Sequence, residues 1–129
     1  MAKRKENSTN MLNELRITKD CDSIYAICKI GGRWKMMILC KLKNKTLRFG
    51  ELRKELDGIT ERMLTLQLRE LEKDQLIIRT VYAEVPPKVE YKLSPIGKDL
   101  IPIWEKLDEW GAKHRSQSVA VTPSLIEIE

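Results

Sequence analysis

This sequence reads as a mostly helical α+β domain for three reasons. Two short amphipathic segments, RFGELRKEL (48–56) and TERMLTLQLRELEKD (60–74), stand on either side of a Gly-containing turn. Two runs rich in β-branched and aromatic residues, LIIRTVY and VEYKL, follow them across a proline-bearing loop. Further helical segments flank this unit on both sides. Helix, turn, helix and hairpin is the order of a winged helix-turn-helix, here with a two- to three-stranded wing sheet.

Each element has a local reason. MAKRKENSTN (1–10) is polar and charged, the composition of a disordered tail. Residues 11–28 are helix-compatible, with apolar Leu12, Leu15, Ile17, Ile24 and Ile27, and Gly31–Gly32 breaks the pattern. RWKMMILCKLKN places Trp34, Ile38 and Leu42 at i, i+4 and i+8 of a helix. Thr46–Arg48 reads as a minimal strand, and Phe49, Leu52 and Leu56 make the inner face of the next helix. Gly58 supplies the left-handed residue that helix exits favour. Thr60 is a good N-cap for a helix running to about Asp74. Leu76–Tyr82 and Val89–Leu93 are strands, and Ala83–Lys88, with Pro86 and Pro87, is the loop between them. Ser94 caps a helix that opens on Pro95 and reaches about Lys113, with bends expected at Gly97 and Pro102. One domain over residues 11–115 follows, with 116–129 as a C-terminal tail whose order the sequence leaves open, being too apolar for an ordinary tail and too short to stand alone.

Composition narrows the function. The chain has 129 residues, 42% of them hydrophobic and 33% charged, which suits one globular domain with a modest core. No apolar run approaches the roughly 20 residues of a membrane span, and the N-terminus lacks a secretory pattern. A cytoplasmic location with no membrane partner is expected. Cys21, Cys28 and Cys40 are expected to be reduced thiols, the last two within the core. With no CxxC pair and His114 as the single histidine, neither a structural zinc site nor any other cofactor is expected. There is no Gly-rich phosphate loop and no Ser–His–Asp set, so the sequence does not read as an enzyme. The charge is uneven: nine bases against Glu51 between Lys29 and Lys54, a local +8, but six acids against three bases from Asp99 onward. Such asymmetry suggests one surface for a polyanion and another for a different partner.

The second helix of the pair sharpens this. At 100° per residue, Thr60, Leu64, Leu68 and Leu71 fall within about 80° of each other as a core stripe. Arg62, Leu66, Arg69 and Lys73 lie within roughly 30° of the opposite direction, with Thr65 at their edge. An α-helix fits the major groove of double-stranded DNA, arginine holds guanine, and threonine or an apolar group covers a thymine methyl. Arg62, Thr65, Leu66, Arg69 and Lys73 are therefore candidate reading residues, joined by Thr60 and Glu61 at the helix start. Arg48, Arg53 and Lys54 on the preceding helix, and Arg79 and Lys88 on the wing, are candidate phosphate contacts. A protein-interaction module that has lost DNA binding is the alternative, although such modules usually lose the basic face. Tyr25, Trp34, Met37, Trp104 and Trp110 are either the lining of a small-molecule effector cavity or ordinary packing.

IGGRWKMMIL (30–39), LRFGELRKEL (47–56), ITERMLTLQLRELEKDQLI (59–77), EVPPKVEYKLSPIG (84–97) and Trp110 resemble the HxlR family of bacterial transcriptional regulators. The resemblance covers about Cys21 to Gly111. It implies a homodimeric winged-helix protein, without a catalytic site, that binds roughly palindromic operators and dimerises through N- and C-terminal helices. Leu100, Ile103, Trp104, Leu107 and Trp110, a wide apolar stripe, are the expected dimer contacts, the alternative being that this helix closes the chain's own core. Several family members sense electrophiles or oxidants through a cysteine before the first core helix, and Cys21 matches that position. This sequence departs from the family in having Asp22 where proline commonly follows.

Overall fold

The computed structural model of the protein describes Lys19 and residues 21–121. Its elements are α1 (Asp22–Ile30), α2 (Arg33–Lys41), β1 (Leu47–Arg48), α3 (Phe49–Glu55), α4 (Glu61–Lys73), β2 (Ile77–Tyr82), β3 (Lys88–Leu93), α5 (Pro95–Lys98) and α6 (Ile101–Val121). The tail expected over residues 1–10, the helical pieces of 11–18 and residues 122–129 lie outside the described residues.

Local chemistry sets the boundaries of the helix pair. The Arg48 backbone N–H donates to Glu51 Oε1 (2.8 Å), satisfying one of the orphan donors at the start of α3. Gly58, at φ +87°, carries the chain out of α3. Thr60 Oγ1 then accepts from the Met63 N–H (3.1 Å) and opens α4. That role leaves Thr60 exposed, a cap rather than a member of the core stripe. Helix α2 stops at Lys41, earlier than RWKMMILCKLKN suggests, and the chain turns through Asn44 at φ +59°.

The core is one cluster in which Ile38, Leu39, Leu42, Leu52, Leu56, Leu64, Leu68 and Leu71 are essentially fully buried. Each such side chain contributes about 1.5–3 kcal/mol by leaving water. The sheet is antiparallel in the order β1-β3-β2, so the two-residue β1 pairs with the outer side of β3, Leu47 opposite Tyr91. In the hairpin, Ile77 faces Leu93 and Tyr82 faces Lys88. Lys88 is therefore a strand residue and the wing loop is one residue shorter than expected.

Ser94 locks the end of the hairpin to the turn after α4. Its Oγ donates to the Gln75 carbonyl (2.7 Å) and accepts from the Gly97 N–H (3.0 Å), and its own N–H donates to the Leu76 carbonyl (3.1 Å). Gly97 is buried against that same carbonyl, where a Cβ would collide with the Leu76 oxygen. The helix expected from Ser94 to Lys113 is in fact two, separated at Asp99–Leu100 rather than bent at Gly97 or Pro102. Pro102 falls in the first turn of α6, where a missing N–H costs nothing. Helix α6 continues to Val121, six residues beyond the domain boundary expected at 115.

Three side-chain placements differ from expectation. Trp104, expected at a dimer interface, is buried in the protomer's own core, its Nε1 donating to Met36 Sδ (3.3 Å). Cys28 and Cys40, expected in the core, are exposed. The reason for Cys28 is that α1 buries none of its side chains. Cys40 lies on the open side of α2, opposite Leu39 and Ile38; partial desolvation pushes its thiol pKa up, Asp108 adds to this, and Lys43 and Lys41 oppose it.

Candidate nucleic-acid interface

Helix α4 presents two sides. Leu64, Leu68 and Leu71 point into the core, while Arg62, Arg69 and Lys73 are exposed on the other side. Arg62, Thr65, Leu66 and Arg69, with Glu61, line a shallow concavity of about 460 Å³. Leu66 is half-buried there rather than protruding, an apolar floor between two guanidinium groups. A second recess of about 290 Å³ continues toward the wing and is lined by Phe49, Thr65, Leu68, Arg69, Glu72, Arg79 and Tyr91. The helix and the base of the wing thus open to the same side.

The electrostatics follow from where the acids of α4 go. Residues 61–74 hold three bases and four acids, so the segment alone is net negative. Every one of those acids is paired with a base from another element. Glu61 meets Arg53 of α3 (3.0 Å), Glu70 meets Lys35 of α2 (3.5 Å), Glu72 meets Arg79 of β2 (3.5 Å) and Asp74 meets Lys29 of α1 (3.6 Å). Exposed pairs of this kind contribute only ~0–1 kcal/mol each. Their effect here is on charge: the acids are neutralised at the flanks. Among the described residues Arg62, Arg69 and Lys73 have no such acidic partner, and the outward side stays cationic.

The structure sorts the other candidates. Arg48 and Lys54 are exposed, and among the described residues neither has an acidic partner. Arg53 and Arg79 are tied to α4 by the pairs above. Lys88 is half-buried and turned back along the hairpin, 3.4 Å from Glu90 and 4.9 Å from the Tyr82 ring centre. Glu90 is also the main reason that the Tyr82 phenol's pKa is raised. Phe49, read from the sequence only as an inner-face residue, and Tyr91, given no role there, both line the recess between helix and wing. Burial raises the Tyr91 pKa, with Arg79 and Arg69 opposing and Glu72 adding. Its inward position in the alternation of VEYKL was the available signal.

Cys21 is exposed at the N-cap position of α1. The five residues considered for an effector cavity are dispersed. Tyr25 borders a groove of about 460 Å³ with Lys29, Lys73 and Leu76; Trp34 and Met37 pack on the core; Trp104 is inside it; and Trp110 is exposed, stacked on His114 at 5.0 Å. Among the described residues no cluster of His, Cys, Asp or Glu could hold a metal ion, and no helix is long and apolar enough to cross a membrane.

A sequence profile of the HxlR-like helix-turn-helix family matches residues 29–119, from the end of α1 through most of α6. The chain belongs to that family. An HTH-type transcriptional regulator of Methanothermobacter thermautotrophicus is 51% identical over 96 residues, 74% of this chain and 73% of that one. The HTH-type transcriptional regulator YtcD of Bacillus subtilis is 49% identical over 98 residues, 76% of this chain and 78% of its own. Among solved structures, the redox regulator HypR in its reduced form superposes with a TM-score of 0.73 at 42% identity, covering 78% of this chain and 99% of that one. HypR in its oxidised form is also similar, with a TM-score of 0.67 at 45% identity, over 72% of this chain and 96% of that one. This HxlR-type protein is thus a DNA-binding transcriptional regulator of winged-helix fold, from a family that is not one of enzymes.

Proposed function

We propose that this HxlR-type regulator works as a homodimer that reads a palindromic operator, one α4 in each of two successive major grooves. The observation that carries this reading is the outward side of α4, kept cationic because the helix's own acids are paired with other elements. Arg62 and Arg69 supply bidentate donors for guanine, and Thr65 and Leu66 supply the apolar surface for a thymine methyl. Arg48 and Lys54 position the unit on phosphate. Exposed Ile24, Tyr25 and Ile27 on α1, and Ile103, Leu107 and Trp110 on α6, support a second copy as the partner. Half-sites would then lie one helical turn apart, roughly 34–36 Å. The intact cationic side argues against an interaction module that no longer meets DNA.

Selection of bound sequences from a random duplex pool tests the reading and should return an inverted repeat. Arg62→Ala and Arg69→Ala should each cost ~1–3 kcal/mol of operator affinity and relax the preference at one position. Unchanged base preference in both variants would refute the assignment to α4.

A response to oxidants or electrophiles through Cys21 is the second element of the proposal, favoured by its exposure at the start of α1 and by the likeness to HypR. Treatment with diamide should alter operator affinity of the wild type and leave Cys21→Ser unaffected. An equal response in both would exclude Cys21 as the reacting thiol.

A further inference from the structure

The wing tip differs in chemistry from the rest of the interface. Between Tyr82 and Lys88 the chain reads AEVPP, and its most exposed apolar side chain is Val85, at 101% relative exposure. Pro86 and Pro87 have no N–H to offer a phosphate. The two cations of the hairpin nearest the tip are both engaged elsewhere, Lys88 with Glu90 and Arg79 with Glu72. Glu84 is the only charged residue of the loop, and it is anionic. A tip built this way gains nothing by lying along a phosphate chain, where affinity comes from neutralising cations. Burying an apolar side chain, by contrast, is favourable by roughly 25 cal/mol per Å² wherever water is displaced.

The tip is also in reach of DNA engaged by α4. Arg79 and Tyr91 share a recess with Thr65 and Arg69, so the hairpin rises from the reading side of that helix. Val85 follows Arg79 by six residues, a reach of at most roughly 20 Å at about 3.3 Å per residue. That length is enough to bridge from a major groove occupied by α4 to the minor groove beside it.

We propose that Val85, backed by Pro86, is an apolar minor-groove wedge that settles at a deformable pyrimidine–purine step flanking each half-site. This rests on the DNA-binding reading above and adds to it a second kind of readout, of DNA shape rather than base edges. Apolar side chains used in this way open a base step and widen the groove. Glu84 fits that choice of site, because a carboxylate is repelled least where the phosphates have been spread and most in the narrow groove of an A-tract.

The test uses the full chain and an operator recovered by selection, with a hydroxyl-radical footprint locating the minor-groove protection beside each half-site. A TA step or an A-tract is then placed at that position. The wild type should bind the TA duplex about tenfold more tightly than the A-tract duplex. Val85→Ser, at a fully exposed position that the fold does not need, should bring that ratio close to one. It should leave the salt dependence and the half-site base preferences as they were. A 2-aminopurine placed at the step should brighten with the wild type and not with Val85→Ser. Val85→Lys should steepen the salt slope by about one counterion without restoring the ratio. A wild type indifferent to the flanking step, or a Val85→Ser protein that keeps the ratio, overturns the wedge. Loss of half-site preference in the wild type would instead overturn the reading of α4, and the two are scored at different base pairs.

Discussion

In α4 the apolar side chains Leu64, Leu68 and Leu71 are exposed by 2% or less, and the opposite side is left to Arg62, Arg69 and Lys73. In α6 Trp104 is 3% exposed, whereas Ile103, Leu107 and Trp110 keep 50%, 48% and 64% of their surface. Both helices carry an apolar stripe, but only α4 has its stripe closed by its own protomer. The difference separates two kinds of surface. A helix whose apolar side is satisfied can give its other side to a charged ligand. A helix whose apolar side faces water is suited to a partner that covers it.

The two tryptophans of α6 separate these surfaces most directly. Trp104→Ala should lower stability by about 3–5 kcal/mol in denaturant unfolding, because it empties a packed core position. Trp110→Ala should act on association instead, raising the dissociation constant of the homodimer proposed above about 30-fold, or ~2 kcal/mol, by sedimentation. Equal losses of folding stability, with no change in association, would erase the distinction between them.

A smaller effect is expected where the two regions are joined. Gly97→Ala should cost about 1–3 kcal/mol, since its Cβ would meet the Leu76 carbonyl. Thermal melting reads this loss, and a neutral Gly97→Ala would mean that the junction between the turn after α4 and α6 gives way easily. The smallest is at the start of α4, where Thr60→Ala removes the acceptor for the Met63 N–H and should cost ~1 kcal/mol. Thr60→Ser should recover most of it. Failure of the serine variant to do so would show that the residue acts beyond capping.

Much of the fold was legible because its signals are local. Thr60 before ERMLTL, Gly58 before it, Ser94–Pro95 and the two prolines of the wing loop each act within a few residues, and periodicity assigned Leu64, Leu68 and Leu71 to one side. The family resemblance added the order of the whole unit. The signals failed where a residue's state depends on distant neighbours. Trp104 and Trp110 are six residues apart in one apolar stripe, and nothing local tells which of them meets Met36. Cys28 and Cys40 sit in apolar sequence, yet the sides of α1 and α2 that carry them are not covered by the protomer. The break at Asp99–Leu100 is another such case, since the Ser94–Gly97 lock to the turn after α4 involves Gln75 and Leu76 from far back in the chain.

The candidate site divides along the same line. By itself the sequence determined which residues share the outward side of α4, since a helix of 3.6 residues per turn leaves no other arrangement. It also placed the prolines that make the wing tip. Which charges on those surfaces remain available depends instead on contacts between elements far apart in the chain. Arg53, Arg79 and Lys88 read alike with Arg48 and Lys54 in the sequence, as candidate phosphate contacts, but each is turned onto a carboxylate of the same chain. A charge acts across space on whatever the fold brings within a few ångströms, and that neighbour is not written in the residues beside it.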